Sequence, residues 1–168
     1  NRFRAKIMLR EKTSTPKTIA LRTLTLIHES EIVGSDVFID NFGVGAQVPV
    51  ELAMARRNTN GVNVGEKAEN DERFLNKRAE AFWRLREWCI SGGEIVDKEL
   101  ADQLLQIRYC VNEKGLIQIM SKERMRKQGI RSPNHADALM LTFVEAETEG
   151  GRVYEQTQNV AHDPYDPL

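Results

Sequence analysis

Cysteine is scarce in this 168-residue chain, with Cys89 and Cys110 the two present. They form no C-x-x-C pair and have no histidine at ligand spacing. A disulfide framework and a structural zinc site are therefore excluded, and a reducing compartment is expected. No apolar run approaches the ~20 residues that a membrane span requires, so no membrane partner is expected. No basic-then-apolar leader opens the chain. No G-x-x-x-x-G-K-[ST] occurs, so this chain is not by itself a P-loop ATPase. Internal repeats and low-complexity tracts are missing as well.

What is present describes an ordinary folded domain. Hydrophobic residues make up 40% and charged residues 29% of the chain. That balance argues against wholesale disorder, and the length allows one domain with a substantial core. Lys and Arg number 24 against 25 Asp and Glu, but the near-balance hides an asymmetry. Residues 145–168 hold six acids and one base, so that stretch carries −5 and residues 1–144 carry +4. A mildly basic body permits nucleic-acid binding without arguing for it alone. The expected organisation is one domain over residues 1–147 and a flexible acidic tail over 148–168. The chain opens on Asn1 inside a strand-like run, as a fragment would.

Periodicity outlines alternating helices and strands. Residues 2–9 alternate Phe3, Ala5, Ile7 and Leu9 with Arg2, Arg4, Lys6 and Met8, the period of a strand with one wet face. Thr15-Pro16 predicts a helix start, with an apolar pattern that runs on towards Gly34. Val37-Phe38-Ile39 reads as a strand covered on both faces. A helix over 48–57 and a short strand over 62–64 follow, which points to an α/β sheet with a parallel portion. Residues 67–72 read as a loop. A strong helix is predicted over 76–90, where Trp83 and Trp88 are most economically core. Gly92-Gly93 stops it. Further elements are a helix over 98–107, a strand over 116–120, a short basic helix or loop over 121–128, and a last helix from Ser132-Pro133 to about 147.

Three places could carry chemistry. Asp40 ends the first buried strand, and ligand sites in open α/β sheets gather at such ends. Gly43 and Gly45 behind it would admit a phosphate or a metal closely. The same Asp could instead start a turn by bonding its own loop. Asp137 stands in A-D-A-L-M-L, a helix that is apolar nearly all round. A lone carboxylate there must neutralise, bind a metal, or pair with a buried Arg. Together the two acids suggest an oxygen-ligand site for Mg²⁺ or Mn²⁺. Asp36 cannot join Asp40 on an unbroken strand, since four residues separate them by ~13 Å. The third place is the basic run of Lys122, Arg124, Arg126, Lys127 and Arg131. It reads as a phosphate-backbone contact or as a solvated helical face. His135, in the first turn of the last helix, either lines the site or caps.

Five motifs occur in one order: V-F-I-D-N-F-G-V-G-A at 37–46, G-V-N-V-G at 61–65, N-K-R-A-E-A-F-W at 76–83, I-Q-I-M-S-K-E at 117–123 and S-P-N-H-A-D-A-L at 132–139. Their order and spacing resemble the C-terminal nuclease domain of tailed-phage and prophage terminase large subunits, to about Phe143. The resemblance implies a ribonuclease-H-like α/β fold, a mixed central sheet flanked by helices. It implies a two-metal endonuclease with Mg²⁺ or Mn²⁺ that cuts concatemeric double-stranded DNA in the host cytoplasm. It implies a terminase small subunit and a portal or procapsid as partners.

By the same resemblance, Asp40 and Asp137 match the family's metal-binding acids. Lys122 matches the lysine of its S-K pair. Asn134 stands where an acid is common, so an auxiliary ligand is expected to be lost. The family's further Asp, from a first strand, has no counterpart here. Residues 2–9 resemble its second strand and hold no acid, so this chain is expected not to be fully active. Two other readings stay open: a catalytically incomplete DNA-binding or portal-docking module, and another ribonuclease-H-like enzyme such as a resolvase.

Overall fold

The computed structural model describes residues 3–12 and 15–144. The expected acidic tail, 148–168, lies outside the described residues.

Each predicted helix forms, and local chemistry explains most of the ends. Helix α1 spans Pro16–Glu29, with Pro16 in its first turn and the Thr15 hydroxyl accepting the Thr18 N–H at 3.2 Å. It stops five residues short of Gly34. Glu31 takes a positive φ of 54°, which turns the chain out of the helix. Helix α2, Val48–Met54, ends three residues earlier than its apolar pattern suggests, and Arg56 adopts φ 57° behind it. Helix α3 spans Lys77–Ile90, with the Asn76 side chain capping the Ala79 N–H at 3.0 Å. Helices α4, Lys98–Leu104, and α5, Lys122–Lys127, are short. Helix α6 covers Asn134–Leu141 and so ends before 147.

Among the described residues, the strands pair as three two-stranded ladders. Strand β2, Phe38–Asp40, runs parallel to β3, Asn60–Val62, with Asp40 opposite Val62. This is the parallel portion expected from the helix–strand alternation. Strand β1 is confined to Arg4–Ala5 and runs parallel to β4, Glu94–Ile95. Strand β5, Tyr109–Val111, pairs antiparallel with β6, Ile117–Ile119. Parallel and antiparallel pairings between helices make the fold mixed α/β.

The long strand predicted over 2–9 shrinks for a visible reason. The Ile7 N–H bonds Asp97 Oδ2 at 2.7 Å instead of a strand neighbour, which ends the ladder. Of the alternating apolar set, Ala5 is buried, whereas Phe3 is 71% exposed and Leu9 is exposed too. Strands β4 and β5 have no sequence signal of their own, since two or three residues are too few to show a period.

The main core lies where α3 and α6 meet β3. Ala81, Phe82 and Leu85 pack against Ala136, Met140, Leu141 and Val62. Trp88 and Trp83 flank the apolar clusters, half-buried rather than central. Trp88 lies over Gly93, where a Cβ would come 2.3 Å from the indole ring. A second cluster joins α1 to α2 through Ala20, Val48 and Leu52. Helix α6 packs on both α3 and β2, and this places the Asp137 helix beside the strand that ends in Asp40.

Candidate active site

Asp40 is the last residue of β2, and a tight turn, Gly43–Gln47, follows it. The turn folds back on the strand end. A Cβ at position 45 would stand 2.1 Å from the Asp40 carbonyl oxygen, so a glycine is required there. Gly43 adopts φ 61°. The Asn41 N–H donates to the Val62 carbonyl at 2.8 Å and extends the β2–β3 ladder past Asp40.

The Asp40 carboxyl has a raised pKa. The largest cause is partial loss of hydration, even though the residue as a whole is exposed. Lys122 opposes the shift, the charge of Asp137 adds to it, and a hydrogen bond from the Phe42 N–H opposes it. The Asp137 charge, on the neighbouring helix, makes ionisation of Asp40 less favourable, as a nearby like charge does.

Asp137 sits in the first turn of α6 with its side chain 15% exposed. A helix N-terminus favours a negative charge there. Arg78 Nη2, from α3, donates to Asp137 Oδ1 at 3.1 Å. Lys122 Nζ, from the start of α5, stands 2.7 Å from Oδ2. Among the described residues, Oδ2 is nevertheless a buried atom with no hydrogen-bond partner. The lysine contact is therefore a close ion pair without hydrogen-bond alignment. Of the fates weighed for a buried carboxylate, pairing with an Arg is the one seen.

The structure thus brings Asp40, Asp137 and Lys122 into one electrostatic group, with Gly43 and Gly45 shaping its edge. Ser121 caps α5 by accepting the Arg124 N–H at 3.2 Å, which sets the Lys122 helix start at this edge. The donor set fits a hard divalent cation: two carboxylates whose charges interact, one offering a buried oxygen that lacks a hydrogen bond. No group of three or more His, Cys, Asp or Glu suited to a metal occurs among the described residues.

The other sequence candidates fall elsewhere. Arg124, Arg126, Lys127 and Arg131 are exposed, and α5 is anchored beneath them by buried Met125. Lys127 pairs with Glu123 at 2.8 Å on the helix face. Asn134 accepts a hydrogen bond from the Ser132 hydroxyl at 2.7 Å. His135 turns towards α4, where its Nδ1 lies 3.1 Å from Gln103 Nε2 and 3.7 Å from Glu99 Oε1.

Two contributors escaped the sequence reading. Gln103 caps α6 from another helix: its Oε1 accepts the N–H groups of His135 at 2.8 Å and Ala136 at 3.2 Å. Nothing local to 132–139 could have shown this. Arg78 had a signal, because a base stood in the first turn of α3 on the same face as Phe82. Its guanidinium carbon lies 5.1 Å from that ring.

No protein-family model matches the chain, and no curated protein matches it. Solved structures do match. The nuclease domain of the large terminase subunit gp2 of bacterial virus Sf6 superposes with a TM-score of 0.62 at 24% identity, covering 74% of this chain and 70% of that one. A mutant of that domain with manganese and beta-thujaplicinol gives 0.64 at 22% identity, over 76% and 71%. A mutant with calcium gives 0.62 at 22%, over 74% and 70%. This chain has the fold of a phage terminase nuclease domain. Terminase nuclease domains are ribonuclease-H-like, so the expected fold class holds. Among the described residues the strands form separate two-stranded ladders, two parallel and one antiparallel. Among the described residues, no helix is long and apolar enough to cross a membrane.

Proposed function

We propose that this chain is the metal-dependent endodeoxyribonuclease domain of a phage DNA-packaging terminase large subunit, which hydrolyses phosphodiester bonds of concatemeric viral DNA. One observation carries the reading: within a terminase-nuclease fold, Asp40 and Asp137 from distant parts of the sequence form one electrostatic group beside Lys122. The related domains solved with manganese or calcium support a divalent ion, and for this chain we assign Mg²⁺ or Mn²⁺.

Asp40 and Asp137 are the residues that would hold the metal. When bound, a pair of divalent ions supplies activation of water and stabilisation of the leaving oxygen. The chain's own residues do the rest. Lys122, half-exposed beside the acids, offsets charge that develops on the scissile phosphate. Arg124, Arg126, Lys127 and Arg131 hold the DNA backbone, which gives affinity without reading bases. Gly43 leaves open space for the DNA backbone to approach, Gly45 lets the turn close on the Asp40 carbonyl, and Asn134 and His135 stand in the adjoining helix start. The terminase small subunit, a portal or procapsid and the host cytoplasm complete the setting that this reading implies.

A second reading, a catalytically incomplete DNA-binding or portal-docking module, is favoured by the donor count. Among the described residues, two acids make up the electrostatic group, and Asp137 already has two cationic partners.

Plasmid cleavage decides between them. The chain, its Asp40→Ala variant and a version extended upstream are incubated with Mn²⁺, Mg²⁺ or EDTA. Metal-dependent nicking that disappears in Asp40→Ala supports the nuclease. No cleavage by any form, with folding shown by circular dichroism, supports the binding module. Preference for branched over linear duplex would point to a resolvase.

A further inference from the structure

The motif N-K-R-A-E-A-F-W holds a residue that the proposed chemistry leaves unused. Asn76 is accounted for as a cap, Glu80 as a tie to the N–H groups of Glu69 and Asn70, and Phe82 as core. Arg78 remains. Its side chain is 13% exposed, and an arginine stays charged at any working pH. Such a cation persists in a half-dry place only with good partners.

Its partners span the site. Nη2 donates to Asp137 Oδ1 at 3.1 Å, and Nη1 donates to the Met120 carbonyl at 3.2 Å. The guanidinium also lies over the Phe82 ring. Met120 is followed directly by Ser121 and Lys122. One rigid fork on α3 therefore ties together the segment that carries Lys122 and the helix that carries Asp137.

The two cations at Asp137 are not equivalent. Arg78 is largely shielded, makes two hydrogen bonds and rests on a ring. Lys122 is 47% exposed and makes one contact without hydrogen-bond alignment. Arg78 commits Oδ1 and holds the carboxylate plane. Oδ2 is left facing a partner that an incoming cation can displace.

We propose that Arg78 is a positioning residue: it locks Asp137 so that Oδ2 alone is presented to a divalent cation, and it sets the Lys122 segment against the same carboxylate. This rests on the nuclease reading above. Partners that orient a metal ligand from behind typically affect metal affinity by about 10- to 100-fold.

The test uses Arg78→Gln and Arg78→Lys beside the wild-type chain. Mn²⁺ binding is read from the electron paramagnetic resonance signal of the free ion. Folding is read from the thermal melt, and nicking kinetics are measured over a range of Mn²⁺ and plasmid concentrations. Arg78→Gln is expected to bind Mn²⁺ at least about tenfold more weakly, with a cooperative melt retained. Arg78→Lys, which keeps the charge and loses the fork, is expected to fall between. Half-maximal nicking should move to higher Mn²⁺ while KM for DNA stays within about twofold, a split that simple loss of stability does not produce.

Mn²⁺ binding that is unchanged or tighter in a folded Arg78→Gln overturns the inference, since Arg78 would then only compete with the metal. If that variant does not fold, wild-type binding by Arg78→Lys overturns it. If the wild-type chain binds no Mn²⁺, the nuclease reading falls and takes this inference with it. Wild-type binding with unaltered variants removes this inference alone.

Discussion

The two carboxylates of the site differ in almost everything except chemistry. Asp40 stands at an exposed strand end, on a turn built from glycines, with a raised pKa. Asp137 stands half-buried in a helix, with an arginine on one oxygen and a lysine near the other. One depends on the backbone for its place and the other on side chains from two other helices. The lesson is that a site can join a part held by steric necessity to a part held by charge. The two parts should then fail differently.

The largest effects should come from deleting the acids. Both Asp40→Ala and Asp137→Ala are expected to abolish cleavage, but they should part in stability. Asp137→Ala strands Arg78 without its carboxylate and is expected to cost about 1–3 kcal/mol in urea unfolding. Asp40→Ala removes an exposed group that is unhappy when ionised, and should cost less than about 0.5 kcal/mol. Equal losses would dissolve the contrast.

The backbone half is tested at the glycines. Gly45→Ala pushes a methyl into the Asp40 carbonyl, with an expected loss of about 1–3 kcal/mol and weakened cleavage. Gly43→Ala meets nothing within 4 Å, and its positive φ alone should cost about 1 kcal/mol. A milder effect at 45 than at 43 would show that the turn has room to shift.

The helix half is tested at its remote cap. Gln103→Ala uncovers two N–H groups at the start of α6 and is expected to cost about 1 kcal/mol by chemical denaturation. A change no larger than that of an exposed surface substitution would mean that water replaces the cap.

The smallest effect is electrostatic. The folded-state pKa of Asp40 lies above its unfolded value, so the folded protein holds that proton more tightly and ionisation on raising the pH costs stability. Asp40→Asn should therefore melt slightly higher than wild type at pH 7, by less than about 1 kcal/mol for a group this exposed. The gain should vanish below pH ~4, where the wild-type carboxyl is protonated as well. A gain that persists in acid would place its cause outside ionisation.

Much of this architecture could be read from the chain itself. Thr15-Pro16 and Asn76 mark helix starts because a cap is a local hydrogen bond. The run Val37-Phe38-Ile39 marks a strand because its apolar character is continuous, and Asp40 ends it. Other features could not be read, for physical reasons. Ladders as short as Arg4–Ala5 and Glu94–Ile95 have no period to detect. The cap of α6 lies 32 residues away in Gln103. The buried carboxylate of Asp137 announced that it needed a partner, but not which one, because partner choice depends on which side chains the packing of α3 and α6 brings near.

By itself, then, the sequence determined the helices with local caps, the strand that ends in Asp40, the helix–strand alternation that points to a parallel portion, and the residue types suited to a hard cation. These follow from interactions between residues close in sequence or from composition along one element. Tertiary structure alone decided that the Asp137 helix packs on the strand of Asp40 so that the two charges interact, that Arg78 and Lys122 divide the oxygens of Asp137, that Gln103 caps a helix it does not belong to, and that His135 turns towards α4. Each of these is an interaction over 15 residues or more, and a one-dimensional pattern has no term for it until the core between α3, α6 and β3 has formed.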